Sequence, residues 1–264
     1  ANSFILFLEG GGWCMGVDDA YAWDTCVARS KGALGSTKGI SAVVGNLGGA
    51  LLSADPAVNP RFHDWNVAFA VYCDGASFSG NRSEPVPTAS GPPIYFRGAR
   101  IFEAIVRNLT APVSAGGKGM GGAKEAILSG CSAGGLAVYQ HCDEFAGLLG
   151  SGTPAKCVAD AGFFADMPSM FGAPPAPATG SIIKYEYDWV FHNQHVGESN
   201  LGSPCLAALG ANDSRCFFPE WNLRHTSTPL FALQSGYDSW QTNFIWFTPD
   251  GGKPSDPGWH ACAQ

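Results

Sequence analysis

Charged side chains are scarce in this chain of 264 residues: they make up 14% of it, against 45% hydrophobic residues. The formal net charge is −7 and no basic cluster is present, which argues against nucleic acid and anionic membrane surfaces as partners. No apolar run is long enough to span a membrane; the stretch 181–190, for example, is broken by Lys184, Glu186 and Asp188. The composition predicts a globular protein whose core is large enough for one α/β domain.

The sequence also lacks C-x-x-C pairs and zinc-ribbon spacing, so we expect no metal site. Its nine cysteines instead predict disulfides formed in an oxidising compartment. Two pairs, Cys14 with Cys26 and Cys205 with Cys216, would each close a loop of about a dozen residues, and we predict both bonds. Because the number of cysteines is odd, at least one thiol is free or has its partner outside the chain.

Three Asn-x-Ser/Thr sequons begin at Asn81, Asn108 and Asn212. Each is a candidate site of N-glycosylation, a modification of secreted proteins. Together with the cysteines, the sequons predict an extracellular protein.

The pentapeptide Gly130-Cys131-Ser132-Ala133-Gly134 matches the G-x-S-x-G pattern of a nucleophile elbow. It follows an apolar run at 126–128 and precedes a small-residue segment, which predicts a strand, a sharp turn and a helix. Small flanking residues let the strand and helix approach closely and leave the serine Oγ exposed at the helix N-terminus. The pattern predicts Ser132 as a nucleophile and the Ala133 N–H as an oxyanion donor.

A glycine triplet, Gly10-Gly11-Gly12, follows a strand predicted at 4–8, with only Glu9 between them. Ester hydrolases place the second part of the oxyanion hole in such a loop. Glycine is suited to it because backbone N–H groups must reach the developing negative charge without side chains in the way.

Further apolar segments predict strands at 66–72, near Cys157 and at 230–234, and helical patterns occur at 99–109 and 182–196. The segment 14–26 is predicted to be a loop. Alternation of strands and helices predicts an α/β fold with a mostly parallel sheet.

A catalytic acid is expected after a strand that follows the elbow, because the chain order in this architecture is serine, acid, histidine. Asp238, after the strand predicted at 230–234, fits that position. Asp160 is the alternative, Asp166 is a weaker one, and any loop aspartate can simply cap a turn or helix. We favour Asp238 because Asp160 follows the elbow closely.

The sequence does not clearly identify the histidine that would complete the triad with Ser132 and Asp238. His260 is the only histidine after Asp238, and no predicted strand leads to it. We therefore expect the base to lie beyond Gln264, with His260 as the minor alternative. His192 and His195 are three residues apart, which fits an exposed helix better than a metal site.

In order along the chain, these motifs resemble the pectin acetylesterase family, which includes the Notum carboxylesterases. The stretches that carry the resemblance are 7–14, 72–80, 129–135, 159–164, 216–219 and 237–241. They span nearly the whole chain, and Gly-Gly-Gly-Trp-Cys and Tyr-Asp-Ser-Trp-Gln are closer to the plant-type members.

The resemblance implies an α/β-hydrolase fold, with helices on both faces of a mostly parallel sheet, and secretion to the extracellular space or cell wall. It implies a Ser-His-Asp triad that removes O-acetyl groups from a pectin-like polysaccharide. We expect an acetylated polysaccharide as the partner, no cofactor, and a monomer. Ser132 then corresponds to the nucleophile and Asp238 to the acid. Gly11, Gly12 and Ala133 correspond to the oxyanion donors.

In the family, the histidine belongs to a His-Cys-Gln-like motif well downstream of the acid. Residues 259–262 instead resemble the segment that comes soon after Tyr-Asp-Ser-Trp-Gln, so His260 does not match the family's histidine. We therefore expect residues 1–264 to be a single α/β-hydrolase domain that lacks both ends. Two alternatives stay open: a catalytically silent module that binds a glycan or lipid, and a carboxylesterase that acts on another acyl ester.

Overall fold

The apolar segment near the N-terminus forms an interior strand of a parallel sheet. The computed structural model describes residues 2–16, 19–41, 49, 51–88, 91–168, 181–198 and 203–246. The strands in these ranges are β1 (Ser3–Leu8), β2 (Asn66–Ala70), β3 (Val86–Thr88), β4 (Gly91–Ile94), β5 (Glu125–Cys131), β6 (Ala155–Asp160) and β7 (Leu230–Leu233). The main sheet has the order β2-β1-β5-β6-β7 with all neighbours parallel, and β3 and β4 form a separate antiparallel hairpin.

Helices connect these strands. They are α1 (Asp19–Ser30), α2 (Gly98–Thr110), α3 (Ala133–Leu149), α4 (Ile182–Asn193), α5 (Pro204–Leu209) and α6 (Pro219–Leu223), followed by a π-helical segment (Gln241–Trp246). In the described ranges, no helix has both the length and the apolar character that crossing a membrane requires. The predicted helices at 99–109 and 182–196 correspond to α2 and α4, and the predicted parallel sheet is confirmed.

One face of the sheet packs against α3. The register pairs Leu6 of β1 with Ala68 and Leu128, so these side chains point to the same face. Leu6 and Leu128 are fully buried there, in one core cluster with most of the first half of α3. β1 and β5 are buried because each has a strand on either side and α3 across this face.

The opposite face is buried at its centre and open at one edge. Ile127 is buried on it, and the rings of Phe7 and Phe69 stack with centroids 5.7 Å apart. Phe231 and Leu233 of β7 lie on the same face by register, yet both side chains are exposed. Burial on this face therefore decreases from the central strands toward β7.

The prediction of a loop between Cys14 and Cys26 is wrong, because most of this segment belongs to α1. Ala22 and Cys26 are one turn apart and form the buried stripe of the helix. Asp19, at the first turn, accepts a hydrogen bond from Trp189 Nε1 at 2.8 Å. A contact with α4 thus stabilises a helix whose own apolar pattern is weak.

Disulfides join several of these elements. The bonds between described cysteines are Cys14–Cys26, Cys142–Cys157 and Cys205–Cys216. The first and third confirm the predicted pairs, and the second, which joins α3 to β6, was not predicted. Cys131 is also disulfide-bonded, and Cys73 is free.

Candidate active site

Ser132 lies between β5 and α3, in the strand–turn–helix context that the sequence predicts. Its backbone has φ 57° and ψ −123°, a strained conformation for a residue with a side chain. The Ser132 N–H donates a hydrogen bond to the carbonyl of Asp160, the last residue of β6, at 3.0 Å. The side chain is half-buried. As the first residue of α3, Ala133 has no acceptor within the helix for its N–H.

Close approach between β1 and α3 requires glycine at the elbow. A Cβ atom at Gly134 would lie 2.1 Å from the Leu8 carbonyl oxygen, and one at Gly130 would lie 2.5 Å from the Gly134 oxygen. Real Cβ atoms essentially never come this close to backbone atoms. Glycine at positions 130 and 134 therefore allows the start of α3 to lie close to the end of β1.

We expect Gly134→Ala to destabilise the protein because the new methyl group meets backbone, which cannot move aside. Gly147 lies in the same helix with no atom near its Cβ position, so Gly147→Ala is the matched control. The Gly134→Ala variant is expected to be less stable than the Gly147→Ala variant by at least about 2 kcal/mol in urea denaturation. Equal stability of the two variants would contradict this close packing.

The glycine triplet after β1 contacts the elbow directly. A Cβ atom at Gly10 would lie 3.0 Å from Ser132 Cβ and 2.4 Å from the Cys131 carbonyl oxygen. Gly11 has φ +140° and Gly12 has φ +64°, values that residues with side chains rarely adopt. The loop that was predicted to supply oxyanion donors therefore lies against Ser132.

The residues after the triplet are held from several sides. Trp13 Nε1 donates to Ser77 Oγ at 2.8 Å, and the Cys14 N–H donates to the Gly75 carbonyl at 3.1 Å. The disulfide of Cys14 with Cys26 ties the loop to α1. Residues 72–80, one of the stretches that carry the resemblance, thus support the glycine loop.

The two acid candidates occupy the same edge of the sheet as Ser132. Asp160 ends β6, and Asp238 follows β7 at its carboxyl end; β6 lies between β5 and β7. Burial raises the pKa of the Asp160 carboxyl. Asp238 is half-buried, and its Oδ1 accepts the backbone N–H of Gln241 at 2.9 Å, the contact of a helix cap. Asp166, the weaker candidate, accepts a hydrogen bond from Ser181 Oγ at 2.8 Å.

An aromatic cluster, Trp13, Phe164 and Trp240, connects the three loops at this edge. The ring centroids are 4.8 Å apart for Trp13–Phe164, 5.5 Å for Trp13–Trp240 and 5.0 Å for Phe164–Trp240, all in edge-to-face contact. The cluster joins the glycine loop, the segment after β6 and the segment after Asp238. Sequence reasoning missed it, although each ring belongs to a stretch that carries the resemblance.

In the described residues, no recorded hydrogen bond or ion pair joins a histidine to Ser132 or Asp238. His195 pairs with Glu198, and His63 Nδ1 lies 3.2 Å from the Asn59 carbonyl oxygen. His260 lies outside the described residues. The position of a catalytic base therefore stays a prediction.

A second serine, Ser79, lies beside a histidine and a carboxylate. His141 Nε2 is 3.0 Å from Ser79 Oγ, and His141 Nδ1 is 2.7 Å from Glu144 Oε2. Ser79 Oγ donates its proton to Gln140 Oε1 at 2.6 Å, since the Gln140 amide nitrogen donates to Phe217. Ser79 and His141 are buried beside a cavity of about 20 Å³, room for one water molecule. This group is closed to substrate, and its hydrogen bonds connect the 72–80 segment to α3.

The sequons differ in accessibility. Asn108 and Asn212 are exposed. Asn81 is buried: its Nδ2 donates to the Glu198 carbonyl at 2.7 Å, and its Oδ1 accepts from Arg100 Nε at 2.8 Å. A glycan would be bonded to Nδ2, which is buried here, so this sequon is less accessible than the other two.

The described residues contain no group of three or more His, Cys, Asp or Glu side chains that could hold a metal ion. The polar groups at this edge of the sheet include the Ser132 hydroxyl, backbone N–H groups of the elbow, and the carboxyls of Asp160 and Asp238. Such a set is suited to nucleophilic acyl chemistry.

The fold is shared with a solved structure of the Wnt deacylase Notum from Drosophila. The TM-score is 0.74 at 24% sequence identity, over 99% of this chain and 70% of that one. The fold is therefore an α/β-hydrolase fold, as predicted.

Curated proteins are similar over most of this chain. Pectin acetylesterase 5 of Arabidopsis thaliana is 37% identical over 262 residues, which cover 99% of this chain and 55% of that protein. Pectin acetylesterase 11 of the same plant is 37% identical over 91% of this chain and 54% of its own length. Human palmitoleoyl-protein carboxylesterase NOTUM is 32% identical over 63% of this chain and 31% of its own. The chain thus spans about half the length of the pectin acetylesterases it matches.

The family model for pectinacetylesterase matches residues 1–264. A match over the whole sequence, together with these relatives, establishes the family. The chain belongs to the pectinacetylesterase family.

Proposed function

We propose that the protein is a serine esterase that removes O-acetyl groups from a pectin-like polysaccharide of the cell wall. One observation carries the proposal: Ser132, at φ 57° between β5 and α3, lies directly against the glycine triplet that follows β1. A strained serine at a helix N-terminus beside a glycine loop is the arrangement that acyl-transfer enzymes of this fold use. Membership of the pectinacetylesterase family supports the same reaction class.

In the first step, Ser132 Oγ attacks the acetyl carbonyl carbon while its proton passes to a histidine. The carbonyl oxygen becomes an oxyanion, and we assign its hydrogen-bond donors to the N–H groups of Gly11, Gly12 and Ala133. The protonated histidine then gives its proton to the sugar oxygen, the ester bond breaks, and an acetyl-serine remains. In the second step, water attacks that ester by the same route and releases acetate.

We assign the orientation of the histidine to Asp238. Ser132 and Asp238 follow β5 and β7, which are separated by one strand, so the strand ends are roughly 10 Å apart at a spacing of about 4.8 Å per strand. An imidazole that bonds to both side chains fits such a gap. One carboxyl oxygen of Asp238 is bonded to the Gln241 N–H, which leaves the other for the histidine.

We further propose that the protein acts outside the cell as a monomer. The three disulfides between described cysteines support an oxidising compartment. The exposed sequons at Asn108 and Asn212 are compatible with glycosylation there.

Purified full-length protein, assayed on three esters, tests the substrate class. Acetate release from acetylated pectin is measured beside release from a neutral acetylated xylan and hydrolysis of a palmitoleoylated peptide. The proposal expects the highest kcat/KM on acetylated pectin. Preference for the palmitoleoylated peptide would favour a carboxylesterase of the Notum type, and no turnover of any ester would favour a silent binding module.

The rate constant kcat/KM is expected to depend on salt for a charged polysaccharide and not for a neutral one. With a formal net charge of −7, the protein repels polyanionic pectin at low ionic strength. Raising the salt from about 10 mM to 150 mM shortens the Debye length from about 30 Å to 8 Å, so kcat/KM on acetylated pectin should rise about twofold or more. The rate on neutral acetylated xylan, the control, should stay constant. A fall on pectin with added salt would instead indicate a basic binding surface.

A further inference from the structure

Arg29 reaches from α1 to the glycine loop. Its Nη1 donates a hydrogen bond to the Gly11 carbonyl oxygen at 2.7 Å, across 18 positions of sequence. Cys26, one turn earlier on α1, is joined by its disulfide to Cys14, which follows the same loop. The loop is therefore fixed to α1 twice, by a covalent bond at one end and by a guanidinium in the middle.

The guanidinium is itself held in place. It lies over the Tyr72 ring, with Cζ 4.6 Å from the centroid. Tyr72 is fully buried; its OH accepts the Ser77 N–H, and its own N–H donates to Glu9 Oε2, both at 2.8 Å. Burial raises the pKa of the Glu9 carboxyl, while the Tyr72 N–H and then Arg29 act to lower it. The ring that the Arg29 guanidinium stacks on thus belongs to a residue that is hydrogen-bonded to Glu9, directly before the glycine triplet.

Within the described residues, the contact with Gly11 is the only hydrogen bond of this guanidinium. Arg29 Nε and Nη2 are buried and have no hydrogen-bond partner there. Burying unpaired donors is unfavourable. Among the described residues, Arg29 leaves two buried nitrogens unpaired while its third donates to the Gly11 carbonyl. This cost indicates that the orientation of the Gly11 carbonyl is important.

Fixing the Gly11 carbonyl also fixes the next N–H. In a trans peptide the C=O of one residue and the N–H of the following residue point in opposite directions. Gly11 and Gly12 have φ +140° and +64°, and glycine can leave such values easily because it has no side chain. Without a restraint, the peptide between them could rotate and withdraw the Gly12 N–H from the oxyanion site.

We propose that Arg29 is a positioning residue that holds the Gly11–Gly12 peptide so that the Gly12 N–H faces the oxyanion. The inference rests on the proposed esterase function. A hydrogen bond from a cation is roughly twice as strong as a neutral one, which suits a restraint on a flexible peptide. Arg29 makes no contact with substrate; it acts through Gly12.

Kinetics of Arg29 variants in the full-length protein test this role. Arg29→Met is expected to lower kcat about 10- to 100-fold, less than the loss expected for deleting an oxyanion donor, with KM within about twofold. Arg29→Lys keeps a cationic donor and should recover part of the loss. In a crystal structure of Arg29→Met, the Gly11 carbonyl should leave its wild-type orientation or occupy two.

Arg82 supplies the matched control. Its Nη1 donates to the Asn193 carbonyl at 3.0 Å, and its Nε is also buried without a partner in the described residues. Arg82→Met should therefore lose comparable stability but keep kcat and the Gly11 orientation. The inference is overturned if Arg29→Met keeps wild-type kcat, or if the Gly11 carbonyl stays in place. If the wild type itself hydrolyses no ester, the proposed function fails, and the Gly11 orientation alone then decides the role of Arg29.

Discussion

Ser132→Ala is expected to abolish ester hydrolysis while the fold is retained. The proposed function assigns the acyl intermediate to this hydroxyl, and loss of the nucleophile in a serine hydrolase typically lowers kcat by about 10³-fold or more. The remaining rate would come from substrate binding and the oxyanion donors alone. Release of p-nitrophenol from p-nitrophenyl acetate by the full-length protein measures the effect, and thermal unfolding checks that Tm is unchanged.

Ser79→Ala is the control for that variant. Ser79 also lies beside a histidine that contacts a carboxylate, but it is buried and its proton is donated to Gln140. We expect Ser79→Ala to change stability rather than chemistry. If Ser132→Ala keeps more than a tenth of wild-type turnover while Ser79→Ala loses it, the assignment of the nucleophile is wrong.

Asp238→Asn is expected to lower kcat about 10⁴-fold, the effect of replacing a triad carboxylate by an amide, because the histidine is then held in the wrong tautomer. Asparagine caps helices about as well as aspartate, so the contact with the Gln241 N–H is preserved. The variant therefore separates a catalytic role from a capping role. A role in capping alone predicts nearly wild-type kcat and Tm.

Asp160→Asn is the comparison that decides between the two carboxyls. Asp160 ends the strand between Ser132 and Asp238, and its backbone carbonyl accepts the Ser132 N–H whatever its side chain. The amide should therefore leave the elbow intact and kcat within about tenfold of wild type. A loss at Asp160 equal to that expected at Asp238 would move the acid assignment to Asp160.

The elbow and the sheet were predictable from sequence because their signals are local. An apolar run, a serine and a cluster of small residues specify β5, the turn at Ser132 and α3 within a few dozen positions. The same holds for β1 and the glycine triplet, where a buried strand leads directly into the loop. The predicted disulfides at Cys14 and Cys205 followed from short spacing, which is also local.

Features that depend on tertiary contacts could not be predicted in this way. The contacts that hold α1 at Asp19 and Cys26 come from α4 and from Cys14, which are distant from its own apolar pattern, so the sequence alone predicts a loop there. The Cys142–Cys157 bond and the contact of Arg29 with Gly11 depend on packing between elements. Asn81 matches a sequon, and only the fold reveals that it is buried.

Covalent labelling of the nucleophile tests the central claim most directly. The full-length protein is incubated with a p-nitrophenyl phosphonate, whose phosphorus forms a stable bond to an activated serine oxygen as p-nitrophenolate leaves, and the adduct is mapped by tandem mass spectrometry. Ser132 as nucleophile predicts one adduct, on the peptide that contains Ser132, and none in the Ser132→Ala variant. An adduct on Ser79 or on the free thiol of Cys73 with Ser132 unmodified would contradict the claim, as would an active protein that takes up no label.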